Sequence, residues 1–159
     1  MVVRETLVDD WRELRRVRLE SLLDAPEAFG QTHAATLALS DAEWQRRADG
    51  RTLLKYFAAF DGSQAIGLAA GASADAAYEL ISMWLHPSHR GTGIAADLVR
   101  AVAHHGLASG HPRIGLEVAM SNTRAWRCYH RCGFRFTGRV APMSGRPDVE
   151  LHRMELSGR

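Results

Sequence analysis

The segment from Met83 to Ala95, MWLHPSHRGTGIA, constrains the fold more than any other part of the chain. An apolar run typical of a strand ends at His86-Pro87, two glycines follow, and the apolar residues from Ile94 onward recur at helical spacing. Glycines at such a turn let the backbone approach a ligand closely, and the first amides of a helix have no intrahelical partner. With Arg90 as a nearby cation, this pattern predicts an anion-binding loop that suits a diphosphate.

The segments on either side of this loop predict one α/β domain over residues 1–159, with helices on the faces of a mixed sheet. Hydrophobic periodicity and turn residues define the elements. Before the glycine loop they are a strand near Val2 to Leu7, a helix capped by Asp9 or Asp10 and ending before Pro26, a loop at 24–39, a short helix at 40–48, and strands at 53–60, 65–72 and 77–85. After it they are a helix at 94–108, a strand at 114–120, and a helix capped by Ser121 or Asn122 and running to about Arg131. The last two are strands at 134–140 and 149–156 around a Gly-Arg-Pro turn.

Composition excludes several classes of protein. With 46% apolar and 24% charged residues the chain is neither disordered nor fibrous, and a net charge of +2 does not predict a nucleic-acid partner. No apolar run approaches the roughly 18–20 residues that span a bilayer, and the N-terminus lacks the apolar core of a signal peptide. Cys128 and Cys132 are the only cysteines, which favours a reducing cytoplasm and gives too few ligands for a zinc site. We therefore expect a cytoplasmic protein without metal or membrane.

Three explanations of the glycine loop compete. It can be a plain strand-to-helix turn in which glycine relieves backbone strain. Residues 91–96 also match the dinucleotide-binding pattern G-x-G-x-x-A, with Glu117 at the distance of a ribose-binding acid. Antiparallel hairpin strands precede the loop, however, and too few residues follow it for a doubly wound sheet. A P-loop is excluded because no Gly-Lys-Ser/Thr follows.

The third explanation is a family resemblance. Arg90-x-x-Gly93-x-Ala95 matches the Q/R-x-x-G-x-G/A pattern of the GNAT superfamily of acetyl-CoA-dependent N-acetyltransferases. Residues 122–134 match that family's N-x-x-A-x-x-x-Y-x-x-x-G-F block, and residues 26–30, PEAFG, resemble the N-terminal region of many small bacterial members. The resemblance implies a mixed, mostly antiparallel sheet of about seven strands flanked by about four helices, with splayed central strands that form the coenzyme A cleft.

The resemblance also implies how acetyl-CoA binds as the acetyl donor. The backbone amides of the glycine loop bind its pyrophosphate, and the strand that precedes the loop offers backbone groups to the amide-rich pantetheine arm. Asn122 contacts the cofactor, caps the next helix, or does both. The cofactor-binding residues implied in this way are Met83, Trp84, Leu85, Arg90, Gly91, Thr92, Gly93, Ile94, Ala95 and Asn122.

Three residues are candidates for catalysis. Tyr129 matches the tyrosine that protonates the departing thiolate, although an aromatic residue at this spacing can also be a core residue. Glu79 matches the base position of histone-acetylating members, whereas Glu117 precedes Tyr129 by twelve residues, as in members that acetylate ribosomal-protein N-termini. Alternation along the strands does not decide between the two carboxylates, and many members use a water chain instead. A covalent route through Cys128 or Cys132 is disfavoured because no base is reliably paired with either thiol.

The acceptor amine is expected opposite the cofactor, between residues 24–39 and 140–148. These segments contain no acidic cluster of the kind that selects a polyamine. The leading hypothesis is therefore direct acetyl transfer to a primary amine of a small molecule. The alternatives are acetylation of a peptide or protein N-terminus and a non-catalytic acyl-CoA-binding module. Exposed sheet edges and the resemblance are compatible with a homodimer.

Overall fold

The computed structural model describes residues 1–75 and 77–158 and confirms the predicted α/β class. Over these residues the strands are β1 (Val2–Glu5), β2 (Leu54–Asp61), β3 (Gln64–Ser73), β4 (Tyr78–Leu85), β5 (Arg113–Ala119), β6 (Arg135–Met143) and β7 (Arg146–Ser157). The helices are α1 (Trp11–Asp24), α2 (His33–Leu37), α3 (Asp41–Ala48), α4 (Ile94–Ala108) and α5 (Thr123–Arg131), with 3₁₀ turns at Val8–Asp10, Pro26–Ala28 and Pro87–His89.

The seven strands form one sheet in the order β1-β2-β3-β4-β5-β7-β6. Every neighbouring pair is antiparallel except β4 and β5, which are parallel and pair only at Tyr78–Ile114 and Glu79–Gly115. Beyond Glu79 the two strands separate, so the β4 edge that faces β5 has no strand partner. A register shift between β3 and β4 and the left-handed backbone of Ser82 (φ 58°) accompany this separation. The splayed central strands are therefore confirmed.

Each face of the sheet carries its own apolar core, because alternate strand residues point to opposite faces. On one face Leu98 and Val102 of α4 are fully buried against the sheet. On the other face Leu14, Trp44 and Tyr56 join α1 and α3 to β2 and β3. Each fully buried Leu or Val contributes about 1.5–3 kcal/mol relative to an exposed one. The two cores hold β4 rigidly while its edge stays open.

Two local predictions are wrong. The predicted loop at 24–39 contains a 3₁₀ turn and the additional helix α2, because the Thr32 hydroxyl accepts a hydrogen bond from the Ala35 amide and starts that helix. The predicted Gly-Arg-Pro turn is shorter than expected. Met143 pairs directly with Arg146, so Ser144 and Gly145 alone reverse the chain, with Gly145 at φ 79°.

Candidate active site

A cleft of about 1190 Å³ opens where β4 and β5 separate. It extends from the glycine loop that precedes α4 to residues 24–31, which follow α1, and it is also bordered by the start of α5. Ligand pockets in proteins typically have volumes of about 300–1,000 Å³. This cleft is therefore large enough for two substrates side by side.

Most of the predicted site residues border this one cleft. They are Glu79, Met83, Trp84, Leu85, Arg90, Gly91, Gly93, Ala95, Glu117, Asn122 and Tyr129. The side chains of Thr92 and Ile94 lie elsewhere. The Thr92 hydroxyl donates to the carbonyl of His89, and the Ile94 side chain is buried in the core beneath α4. The Ile94 side chain is therefore out of reach of a ligand, and both residues offer their backbone amides to one.

The glycine loop presents a row of free amides. Within the described chain, the backbone N–H groups of residues 91–96 make no hydrogen bond. Gly91 (φ 80°) and Gly93 (φ 89°) have left-handed backbones, which a side chain would strain, and Gly93 is the N-cap of α4. Because the positive end of the α4 dipole lies at the same place, the loop has the form of an anion site.

Arg90 is held by two contacts within the protein. Its Nη2 donates to Oδ2 of Asp24 at 2.9 Å, and its Nε donates to the carbonyl of Leu85 at 3.1 Å. Trp84 donates through Nε1 to the same Asp24 oxygen at 2.9 Å. Hydrogen bonds from Trp84 and then Arg90 lower the pKa of Asp24, although partial burial opposes them. Sequence reasoning missed Asp24, which connects the end of α1 to β4 and to the glycine loop.

Two side chains at the start of α5 border the cleft without a hydrogen bond to the described residues, although the charge of Arg124 helps to lower the pKa of Asp24. Asn122 occupies the N-cap position, but its side chain does not cap the helix, in contrast to one of the roles expected for it. Arg124 is exposed, borders the cleft and makes no hydrogen bond or ion pair with the described residues. An amide and a guanidinium are thus available near the loop amides.

The two candidate bases differ in their environment. Arg153 binds both carboxylate oxygens of Glu79, at 2.7 and 3.0 Å, and also pairs with Glu155 at 2.7 Å. Gly115 leaves the space for this pair, because a Cβ there would collide with both Arg153 and Glu79. The carboxylate of Glu117 makes no hydrogen bond or ion pair within the described chain. Glu79 is therefore committed to a structural ion pair, and Glu117 is free.

Glu79 and Glu117 lie on the same face of the sheet. Glu79 pairs with Gly115 across the β4–β5 ladder, and Glu117 lies two residues beyond Gly115 on β5. Both side chains border the cleft on the face opposite α4. Strand alternation alone did not decide which carboxylate is the base. In the structure it places both carboxylates in one cavity.

Tyr129 lies at the inner wall of the cleft. Its ring is 8% exposed and packs against Phe134, with ring centroids 6.2 Å apart. Burial raises the pKa of its phenol, so the hydroxyl is protonated at neutral pH. That hydroxyl makes no hydrogen bond with the described residues and is thus available as a proton donor.

The two cysteines lie one turn apart on α5 and influence each other. Hydrogen bonding from the Cys128 thiol lowers the pKa of Cys132 to about 7, and nearby Arg100 and Arg131 contribute. The same pairing, together with burial, raises the pKa of Cys128, which borders the cleft. Among the described residues, no group of three or more His, Cys, Asp or Glu side chains could hold a metal ion.

Sequence reasoning also missed Arg18, which borders the cleft from α1. Arg18 is only 3% exposed, whereas arginine is rarely fully buried. The only hint in the sequence is that Arg18 lies four residues after Leu14 and four before Leu22, on the apolar side of α1.

Comparisons with known proteins agree with this geometry. The sequence model described as the acetyltransferase (GNAT) family matches residues 10–134. No curated protein matches the chain. None of the described helices is both long and apolar enough to cross a bilayer.

Three solved structures illustrate the likeness in fold. The putative acetyltransferase yncA from Salmonella typhimurium, solved with acetyl-CoA, has a TM-score of 0.79 at 18% identity over 99% of this chain and 93% of that one. Spermidine N-acetyltransferase from Vibrio cholerae, solved with CoA and spermine, has a TM-score of 0.74 at 19% identity over 98% and 94%. RimL, a ribosomal L7/L12 α-N-protein acetyltransferase solved with CoA, has a TM-score of 0.76 at 15% identity over 98% and 92%.

Proposed function

The chain belongs to the GNAT family of acetyltransferases, and on that basis we propose that it transfers the acetyl group of acetyl-CoA to a primary amine of a small molecule. One observation carries the proposal. A single cleft joins the unpartnered amides of residues 91–96 to the free carboxylate of Glu117 and the protonated hydroxyl of Tyr129. These groups are an anion site, a base and an acid, and acetyl transfer from a nucleotide thioester requires all three.

The residues of the cleft fit acetyl-CoA. The amides of residues 91–96 would bind the pyrophosphate, and the uncommitted side chains of Asn122 and Arg124 would add a hydrogen bond and a charge. The open β4 edge from Met83 to Leu85 would pair with the amides of the pantetheine arm. Arg90 would act mainly by holding the loop against Asp24 rather than by binding phosphate alone.

In the proposed reaction, acetyl-CoA supplies an activated acetyl group to the acceptor amine. The amine must lose a proton to attack, and Glu117 would take that proton directly or through water. Tyr129 would donate its proton to the departing sulfur, because its buried phenol is protonated at neutral pH. Glu79 would instead hold Arg153 in place as its ion-pair partner. Transfer would be direct, because the raised pKa of Cys128 keeps that thiol protonated.

A second candidate function is acetylation of a peptide or protein N-terminus. The fold likeness to RimL and the spacing of Glu117 and Tyr129 favour it. It requires a cleft in which an extended peptide can lie, whereas the segment at residues 25–31 borders the acceptor side of this one. We therefore rank the small amine first.

The test is a panel of amines and short peptides in which the release of free CoA thiol is followed with acetyl-CoA present. Small amines should give the faster release, and Glu117→Gln and Tyr129→Phe should both suppress it. Faster release with peptides would favour the second candidate. Release from no acceptor at all would contradict both and would indicate a non-catalytic acyl-CoA-binding module.

A further inference from the structure

Arg18 is the one charged residue that is buried within residues 1–75 and 77–158. It extends from α1 into the acceptor side of the cleft, where Phe29 and Gln31 of the following segment also lie. A charged group is rarely buried without an opposite charge, because burial removes it from water. The groups around Arg18 therefore show whether an opposite charge is present.

The contacts of the Arg18 guanidinium are weak and neutral. It donates to Oγ of Ser21 and to Oε1 of Gln31, each at the long distance of 3.4 Å, and it stacks over the Phe29 ring at 4.7 Å. It makes no ion pair with a described carboxylate. Burial lowers its pKa, but arginine stays protonated in proteins. A buried positive charge is thus left without a counter-charge.

Neighbouring charges do not supply the missing anion. Arg47 is a second cation near Arg18, and Glu43 is paired both with Arg47 at 3.2 Å and with Arg46 at 3.3 Å, so its charge is not free for Arg18. The phenol of Tyr56 is also close, but burial raises its pKa, so it is neutral. None of these neighbours therefore provides a negative charge that pairs with Arg18.

The position of Arg18 relates it to the reacting centre. Its neighbour Tyr56 on β2 pairs with Ala70 on β3, which pairs with Ile81 on β4, just before Ser82, where β4 bends. Adjacent strands lie about 4.8 Å apart, so the backbones of Tyr56 and Ile81 are two strand spacings, about 10 Å, apart. Arg18 and the open β4 edge border the same cleft, so one extended small molecule can contact both.

We propose that Arg18 binds a carboxylate of the acceptor, which is then a small molecule carrying both a primary amine and a carboxylate. This inference rests on the proposed function and adds the substrate class. Two parallel N–H groups of a guanidinium match the two oxygens of a carboxylate. A phosphate monoester carries about −1.5 to −2 charges, more than one guanidinium neutralises. A polyamine would bring further positive charge to Arg18 and is disfavoured.

The experiment compares matched acceptors that differ only in the carboxylate, namely γ-aminobutyrate with propylamine, and 6-aminohexanoate with pentylamine. We expect at least one acid to have a kcat/KM about tenfold or more above that of its partner amine. Arg18→Gln should remove this preference by slowing only the acid. Arg12→Gln is the matched control, because Arg12 is exposed on the same helix and does not border the cleft. It should leave both rates unchanged.

Equal rates for acid and amine with the wild-type protein would overturn the inference, and this comparison does not depend on a variant. So would an equal loss of both rates in an Arg18→Gln protein that still binds CoA. O-phosphoethanolamine serves as the phosphate arm, and a preference for it over every carboxylate would also overturn the assignment.

Calorimetric titration of the same acids and amines into CoA-saturated protein separates binding from chemistry. Acid binding that requires Arg18, without acetylation of any amine, would support the inference and contradict the proposed function. Acetylation of amines without a preference for acids would support the proposed function and contradict the inference. If no acid binds and no amine is acetylated, both the inference and the proposed function are contradicted.

Discussion

The phenol of Tyr129 has no partner in the described chain, and burial keeps it protonated. Tyr129→Phe removes only the hydroxyl and should lower kcat by about 10²-fold or more while the KM for acetyl-CoA stays nearly unchanged. Steady-state kinetics of thiol release measures both. The control is Tyr78→Phe, because Tyr78 lies in the core away from the cleft and its buried hydroxyl also lacks a partner. Full activity in Tyr129→Phe would remove Tyr129 from catalysis.

Arg124 differs from Arg127, three residues further along α5, in what its side chain faces. Arg124 borders the cleft without a hydrogen bond or close ion pair among the described residues, although its charge acts on Asp24. Arg127 is exposed, lies outside the cleft lining and stacks on Trp126 at 5.6 Å. Arg124→Ala should raise the KM for acetyl-CoA about 5- to 10-fold, and less so at high salt, because salt already screens a phosphate-facing charge. Arg127→Ala should leave that KM unchanged. Equal effects from the two variants would argue against a phosphate contact at Arg124.

Cys132 should alkylate faster than Cys128 at neutral pH, because the thiolate is the reactive form and the pKa of Cys132 is lowered to about 7. Its alkylation rate by iodoacetamide should be half-maximal near that pH. Cys128→Ala removes the stabilising thiol and should move the midpoint toward the ordinary value of about 8.5. Mass spectrometry of the labelled peptides against pH measures this. An unchanged midpoint in Cys128→Ala would show that the arginines, not Cys128, set the pKa.

Among the elements, the turn into α4 depends on backbone conformation rather than on space. A Cβ at Gly93 would touch nothing within 4 Å, yet φ is 89°. Gly93→Ala should therefore lower the free energy of unfolding by about 1 kcal/mol or more through strain alone. Gly30→Ala, at an ordinary φ with a contact no closer than 3.4 Å, is the control and should change it little. Urea denaturation measures the free energy of unfolding of both variants. Equal values for Gly93→Ala and Gly30→Ala would contradict the claim that the backbone at Gly93 strains a side chain.

Elements were predicted well where the signal is local. The apolar stripe of α4 and the glycines before it predicted that helix and its loop. Short apolar runs bounded by turn residues predicted β2 to β5, because neighbouring residues alone determine these patterns. Helix α2 was missed because its five residues are too short for a period and only the Thr32 cap marks its start. The cap at Asn122 was predicted by residue type, and Asn122 is the N-cap residue, but its side chain makes no capping hydrogen bond.

Across the whole molecule, the site residues that escaped prediction are those paired over long sequence distances. Arg90 and Asp24 are separated by 66 residues, and Arg153 and Glu79 by 74. A motif describes one stretch of chain, so it does not report which carboxylate a distant arginine will bind. The same limit hid Arg18, whose burial depends on the packing of α1 over β2 and β3.

Stability of the whole fold should fall in acid. Hydrogen bonds from Arg4 and Arg16 lower the pKa values of Asp10 and Glu13, and a hydrogen bond from Trp84 lowers that of Asp24. Groups with folded pKa values below their unfolded values stabilise the fold fully above the unfolded pKa, near pH 4, and lose that contribution as the pH falls through the folded value. Thermal unfolding between pH 7 and 3 should show Tm falling chiefly below about pH 4.5. A Tm that is constant or rises toward pH 3 would contradict this.

The most direct test of acetyl-CoA binding in the splayed cleft is the change in backbone amide NMR shifts when acetyl-CoA is titrated into the ¹⁵N-labelled protein. The largest changes should fall on residues 91–96, on the open β4 edge from Met83 to Leu85 and on Asn122. Among the described residues, the loop amides and the Asn122 side chain make no hydrogen bond, and the β4 edge that faces β5 has no strand partner there. Shifts confined to other surfaces, or none at millimolar acetyl-CoA, would contradict the assignment of the cleft.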